Sequence, residues 1–324
     1  MDSPALNNPT QRVVIDGFAF PLGVYPVEPC RPRPGYTVDF EPADGGDADS
    51  DWEEWPDRYM YDVVVPAPRL PALVRALLAR LPARVYPILD ILGQDAYREV
   101  DPYIAYDPIP IDRFLDAVHR HKAWLFEDGL VGFGAMSDDP FLYVYVDEHK
   151  IVTVRAPGEI RDEIEKTLDA FDLSPVEELA GADAAEHEHR GLLTTDGGGP
   201  SEEQILEELL VSWRLQLNID HERNTDDDGR DLGVTAWRCL VRLAGEEGPV
   251  YGDVWLRAGC YDEAESLAVS AVAEASGVEP FDGDHPPLVI VADRVTPEAF
   301  AASLQEIGAE DPGPPDAPGV VAVR

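Results

Sequence analysis

Residues 174–199 read "SPVEELAGADAAEHEHRGLLTTDGGG", polar and acidic, ending in three glycines. Apolar residues recur in it with neither the two-residue period of a strand nor the 3.6-residue period of a helix, which is linker composition with at most one short helical turn. Periodic segments lie on both sides of it. With 324 residues, more than one comfortable hydrophobic core requires, the chain is expected to form two domains joined here. The sequence therefore predicts an arm over 1–57, a domain over 58–173, a linker over 174–200 and a second domain over 201–324. Nine prolines and few sustained periodic runs make the arm irregular, draped over the first domain.

Within the first domain, "LPALVRALLARL" places Leu70, Leu73, Val74, Leu77, Leu78 and Leu81 on one helical face, and "PIDRFLDAVHRH" does the same with Ile111, Phe114, Leu115 and Val118. "LVGFGAMSDDPFLYVYVDEHKIVTVR" reads as three strands, with "DEHK" as the turn between the last two. In "FLYVYV" both alternating sets are apolar or aromatic, so this strand is expected to be central. "GFGAMS" leads into another strand rather than a helix, so it is read as a bend and not a phosphate loop. The helix "GEIRDEIEKTLDAF" closes the domain.

The second domain opens with a short helix at "SEEQILEE", followed by three long strands, "LLVSWRLQLNI", "VTAWRCLVRLA" and "VYGDVWLRAG". A helix follows, with Gly277 at its left-handed C-cap, then the strand "PLVIVAD". Thr296 caps the last helix, Pro297 takes its first position, and "GVVAV" is the final strand. The fold class is α+β: two domains, each a mixed or largely antiparallel sheet with helices packed on it, the second in the order βββαβαβ.

Charge limits the partners. Against 64 acids stand 25 bases, a formal charge of -39, and Lys122, Lys150 and Lys166 are the only lysines. Direct binding of nucleic acid or of an anionic membrane surface depends on such bases, so neither is expected. A Lys-poor, Asp-rich composition is also what a GC-rich or salt-adapted genome yields. Cys30, Cys239 and Cys260 are odd in number and far apart, which gives neither a disulfide framework nor a metal clip and fits a reduced cytoplasm. "MDSPALNNPTQRVV" has no basic and apolar signal-peptide regions, and no run approaches a membrane span.

Metal chemistry finds little support at this level. "DGGDADSDWEEWPD", Asp44 to Asp57, fails as a calcium loop, with Trp52 at the turn position and Arg58 at the twelfth. "NTDDDGRDLGVT" places Asn224, Asp226, Asp228 and Gly229 in the pattern but ends on Thr235, so a polar turn is expected. A zinc site needs about three converging protein ligands. An HxH pair supplies two when it lies in a strand, but His119 and His121 end a helix and His187 and His189 fall in the linker. A cluster of His149, His221 and Asp220 is the remaining combination. The expectation is no cofactor and no metal.

The element order of the second domain is similar to that of ribonuclease H-like folds. That resemblance implies a divalent-metal phosphoesterase holding two ions with carboxylates on the first strand, first helix and fourth strand. The matching positions are Asp293 after "VIVA" and Glu263 or Glu265 at the helix start, while the first strand departs from the pattern: "SWRLQ" carries no acid and Asp220 lies only at its far end. An acidic polyanion mimic is a further alternative.

Eight of the twelve tyrosines fall between Tyr59 and Tyr145, among many carboxylates, most densely in "YREVDPYIAYD". Tyrosine gives large contact area at low entropic cost, so Tyr97, Glu99, Asp101, Tyr103, Tyr106 and Asp107 are the expected contact face for a protein partner with a cationic surface. The sequence thus predicts a non-enzymatic cytosolic binding or regulatory protein.

Overall fold

The computed structural model describes residues 11–43, 55–193, 199–280, 286–310 and 317–324. Most of the acidic stretch from Asp44 lies outside the described residues, as does His285. The architecture is α+β. Two compact units divide the chain differently from the expected boundaries: one comprises 1–92 with 102–216, the other 93–101 with 217–324. Among the described residues no helix is long and apolar enough to cross a membrane.

The first unit begins with β1 (Val14–Ile15), β2 (Phe18–Ala19), β3 (Val24–Pro26) and β4 (Gly35–Glu41). This corrects the reading of residues 1–57 as an arm. Phe18, Phe20 and Val24 are buried with Val64 and Ala182, and β4 pairs over its full length with β5 (Arg58–Val64). Pro29, Pro32 and Pro34 precede β4, so they remove no donor from its ladder.

Next come α1 (Leu70–Leu78), β6 (Arg84–Leu92), β7 (Val100–Ala105), β8 (Ile109–Pro110), α2 (Ile111–Arg120) and α3 (Lys122–Glu127). They are followed by β9 (Val131–Asp138), β10 (Phe141–Val146), β11 (Val152–Ala156), α4 (Arg161–Ala170), β12 (His187–His189), α5 (Glu202–Trp213) and β13 (Leu215–Leu217). The main sheet has the order β13-β7-β6-β9-β10-β11-β5-β4, with β8 on β6, and β12 pairs with β3 apart from it. All six leucine and valine positions expected on the α1 face are buried.

The strand β10 is central, between β9 and β11, with Leu142, Val144 and Val146 buried. Its other face carries Tyr143 and Tyr145, stacked at 6.0 Å, and the Tyr145 hydroxyl donates to the Asp90 carboxylate. This explains "GFG", which is strand and not a bend. A Cβ on Gly132 of β9 would collide with the Tyr145 phenol, so that glycine makes room for the ring, whereas a Cβ on Gly134 would meet the backbone of Val144 and Tyr145 on the neighbouring strand.

The second unit contains β14 (Thr235–Gly245), β15 (Gly248–Ala258), α6 (Tyr261–Ser276), β16 (Leu288–Val295), α7 (Pro297–Ile307) and β17 (Gly319–Val323). Its sheet order is β16-β14-β15-β17, antiparallel throughout. Gly252 of β15 meets Val272 of α6, whereas Trp255 packs with Phe300 and Leu304 of α7. Residues 252 and 255 differ in parity, so the helices cover opposite faces of the sheet. Gly277 and Thr296 cap as their sequence positions predict, Gly277 at φ 71° and Thr296 accepting from the Ala299 amide at 3.2 Å.

The expected βββαβαβ order is corrected at its first strand. Ile205, Leu206, Leu209, Leu210 and Trp213 form the buried stripe of α5, started by a capping box between Ser201 and Gln204. Only Leu215–Leu217 remains extended, so the unit runs ββαβαβ.

Candidate metal centre

His187 and His189 lie in β12, not in a linker. "HEH" contains no strong strand former, and it is extended because β3 supplies a partner: His187 stands opposite Pro26, Glu188 opposite Tyr25 and His189 opposite Val24. The two-residue period then turns both imidazoles to one face. Glu188 takes the other face, where Arg190 bonds it at 3.1 Å and stacks its guanidinium 4.1 Å from the Tyr25 ring centroid.

The third imidazole comes from the turn between β10 and β11. Asp147 and Ile151 close the hairpin at 3.1 Å, and the Asp147 carboxylate accepts from the Ile151 amide at 2.7 Å. Lys150 adopts a left-handed conformation, φ 66°, and donates its buried ammonium to the Val131 carbonyl. Burial pulls that ammonium down to about 8. With Lys150 turned inward, His149 faces β12.

Three segments cross tightly beside this cluster. The Gly23 amide donates to the Glu127 carbonyl at 2.7 Å, the Arg190 amide to the Gly23 carbonyl at 2.8 Å, and the Gly129 amide to the Arg190 carbonyl at 3.1 Å. A Cβ on Gly23 or Gly129 would collide with the opposing backbone, so both positions require glycine. The buried Asp128 clamps the end of the segment, accepting from the Leu192 amide at 2.6 Å and the Leu130 amide at 2.9 Å.

The hydrogen bonds fix the tautomers. His187 Nδ1 is 2.7 Å from the Ala185 carbonyl and His189 Nδ1 is 2.6 Å from the Gly129 carbonyl; a carbonyl only accepts, so both Nδ1 atoms carry protons. His149 Nδ1 faces Glu148 Oε1 at 3.2 Å and Asp147 Oδ2 at 3.5 Å. In neutral rings this leaves a lone pair on every Nε2. Yet His187 Nε2 lies 3.0 Å from both His149 Nε2 and His189 Nε2, and the three ring centroids stand 4.8 Å apart pairwise. One proton could satisfy one of those two contacts. A metal ion satisfies both, and all three histidines are within mutual reach of a single ion. Nitrogen ligands at about 2.0–2.1 Å from an ion stand roughly 2.9 Å apart on an octahedral face and roughly 3.3 Å apart at tetrahedral angles, and 3.0 Å falls in that interval.

Electrostatics differ around the triangle. Burial pulls the His149 imidazolium down, but Asp147, Glu148 and Asp183 more than offset this and raise it. His189 is lowered, chiefly by burial; its bond to the Gly129 carbonyl acts in the opposite direction, and the neighbouring imidazoles, when protonated, lower it further.

The other predicted site residues are not assembled. Asp101 is buried and accepts from Arg98 at 2.6 Å, Tyr103 is buried, and the Tyr97 ring lies under Arg294, 5.6 Å from its guanidinium. Residues 93–99 form bends and turns, so the extended register expected to align Tyr97, Glu99, Asp101 and Tyr103 is missing; Glu99, Tyr106 and Asp107 remain exposed. The phosphoesterase set is also dispersed in role. Asp220 accepts from the Glu222 amide at 3.1 Å, Glu263 from the Gly259 amide at 2.7 Å, and Asp293 is buried in β16. These three form no metal-competent group among the described residues, and the helical α5 removes the first strand on which the ribonuclease H-like resemblance depended.

His221 also lies outside the histidine cluster: its Nε2 is 2.9 Å from the Leu217 carbonyl. In "NTDDDGRDLGVT" Asp226 accepts from the Asp228 and Arg230 amides, and Asn224 donates to Gly233 and Thr235, which makes it the polar turn its sequence predicts. No protein-family model, curated protein or solved structure matches the chain.

Proposed function

We propose that this is a metal-binding protein that takes one divalent first-row transition ion at His149, His187 and His189, with zinc the expected occupant. The observation that carries the reading is the convergence of three Nε2 lone pairs whose Nδ1 partners are all in place. Imidazole donors suit zinc, copper, nickel and iron; calcium and magnesium prefer oxygen ligands. Partners at the far nitrogen orient each ring and raise its basicity, the arrangement that metal-ligating histidines favour. The ion would tie the β10–β11 turn to β12, and through β12 to β3.

Equilibrium dialysis of zinc against the full chain tests this. One ion per chain is expected, and none for a His187→Ala, His189→Ala double variant that keeps the parent far-ultraviolet spectrum. Absence of stoichiometric binding by the parent protein would refute the reading.

A further inference from the structure

We infer that the ion at this centre keeps a coordination position for an exchangeable small anion, so that it works as a Lewis acid and not only as a clip between segments. The inference rests on the metal-centre reading above and goes further, by naming the ligand class the centre accepts.

It follows from where the neighbouring carboxylates are committed. In a chain with 64 acids, a fourth carboxylate ligand would be the ordinary outcome. Instead Asp147 and Glu148 stand on the Nδ1 side of His149, away from the Nε2 triangle, and Asp147 also accepts from the Ile151 amide. Asp183 accepts from the Gly181 amide at 3.2 Å. Asp128 holds the Leu130 and Leu192 amides, Glu127 bonds Arg12 and the Leu22 amide, and Glu188 occupies the opposite face of β12 with Arg190. Among the described residues, Asp147 and Glu148 form a second possible metal-holding group with His149 alone, and no carboxylate or thiol groups with all three histidines as a fourth donor.

Three neutral imidazoles leave the full double charge of the ion uncompensated at its ligands. Sites with three protein ligands reserve the next position for water or substrate, whereas sites closed by four protein ligands exclude both. The His149 side chain is 19% exposed, so the residue that carries one of the donors borders solvent. An ion of this charge in that setting favours a small anionic donor over a neutral one.

Cobalt substitution reads the coordination directly. The full chain loaded with cobalt(II) is expected to show visible d–d bands that shift saturably on addition of azide. The Asp183→Asn variant is expected to retain both a cobalt spectrum and an azide response. Absence of a stoichiometric cobalt spectrum in the parent would sink the metal-centre reading itself. A cobalt spectrum unmoved by azide would leave that reading standing and overturn the exchangeable position. An azide-free spectrum that changes coordination number in Asp183→Asn would identify a carboxylate as the missing ligand, again against the open position.

Discussion

Two polar clusters, one in each unit, differ in whether the protein satisfies them. In the second unit Arg294 is buried and fully engaged: its guanidinium bonds both Asp95 oxygens at 2.8–3.0 Å, Asn224 Oδ1 at 3.0 Å and the Thr225 carbonyl at 2.6 Å. Its backbone amide also donates to Asp95 at 2.8 Å. In the first unit the three histidines meet with their outer nitrogens satisfied and their inner nitrogens facing one another. A satisfied buried network specifies structure, and an incomplete one points to a missing partner. Burial and charge alone do not distinguish the two clusters; the facing lone pairs of the histidines do.

Breaking the satisfied cluster should have the largest effect. Asp95→Ala leaves the Arg294 guanidinium buried without its anion and should cost about 3–5 kcal/mol, the range for removing one member of a buried ion pair. Denaturant unfolding measures it. Zinc affinity should be unchanged, and a joint loss would mean that the clusters are not independent.

Asp293 sharpens the contrast from the other direction, as a buried acid without sufficient compensation. Burial first, then the charges of Asp101 and Asp95, push its carboxyl up to about 8 from an ordinary 3.8, despite Arg238 and Arg98. The folded state therefore holds this proton more tightly than the unfolded chain. The resulting stabilisation is complete below about pH 4 and is lost as pH rises through about 8. Asp293→Asn should match the parent near pH 4 and melt at higher temperature above pH 8. A constant difference across that range would show that the carboxyl titrates normally in the fold.

Much of the scaffold was legible in the sequence and its assembly was not. The α1 leucines and the α6 and α7 caps were readable because period and cap chemistry are local. "LLVSW" misled because its apolar run suits a buried strand as well as the α5 stripe, and the capping box at Ser201 was the arbitrating signal. The acidic, tyrosine-rich segment suggested a contact surface, but Arg98 and Arg294 draw Asp101 and Asp95 inward, a pairing invisible in local spacing for Arg294. The histidine centre was half legible. The alternation in "HEH" carried the right geometry, but its strand exists only through pairing with β3, and His149 arrives from 38 residues earlier.

Ligand binding supplies the third prediction. Zinc at about a hundredfold excess over its dissociation constant should stabilise the folded chain by about 2.7 kcal/mol, provided the unfolded chain does not bind it. A rise in melting temperature on zinc addition, absent in His149→Ala, is the expected outcome. A rise that persists in His149→Ala would place the ion elsewhere.

The smallest expected effect isolates the outer nitrogens from the inner ones. Glu148 Oε1 faces His149 Nδ1 at 3.2 Å and Asp147 Oδ2 faces it at 3.5 Å, so Glu148→Gln removes a negative charge from the ring without removing its last acceptor. The imidazole should keep its tautomer and lose basicity. Replacing such a partner costs about 10–100-fold in metal affinity, and the retained Asp147 contact argues for the lower end of that range. Because Glu148 is partly exposed, the stability of the metal-free protein should hardly move. Competition titration with a chromophoric chelator, run beside thermal melting of the metal-free protein, separates the two quantities. A loss of affinity without a loss of stability would show the carboxylate acting through His149 on the ion; equal affinity would mean that backbone pairing alone holds the ring in place.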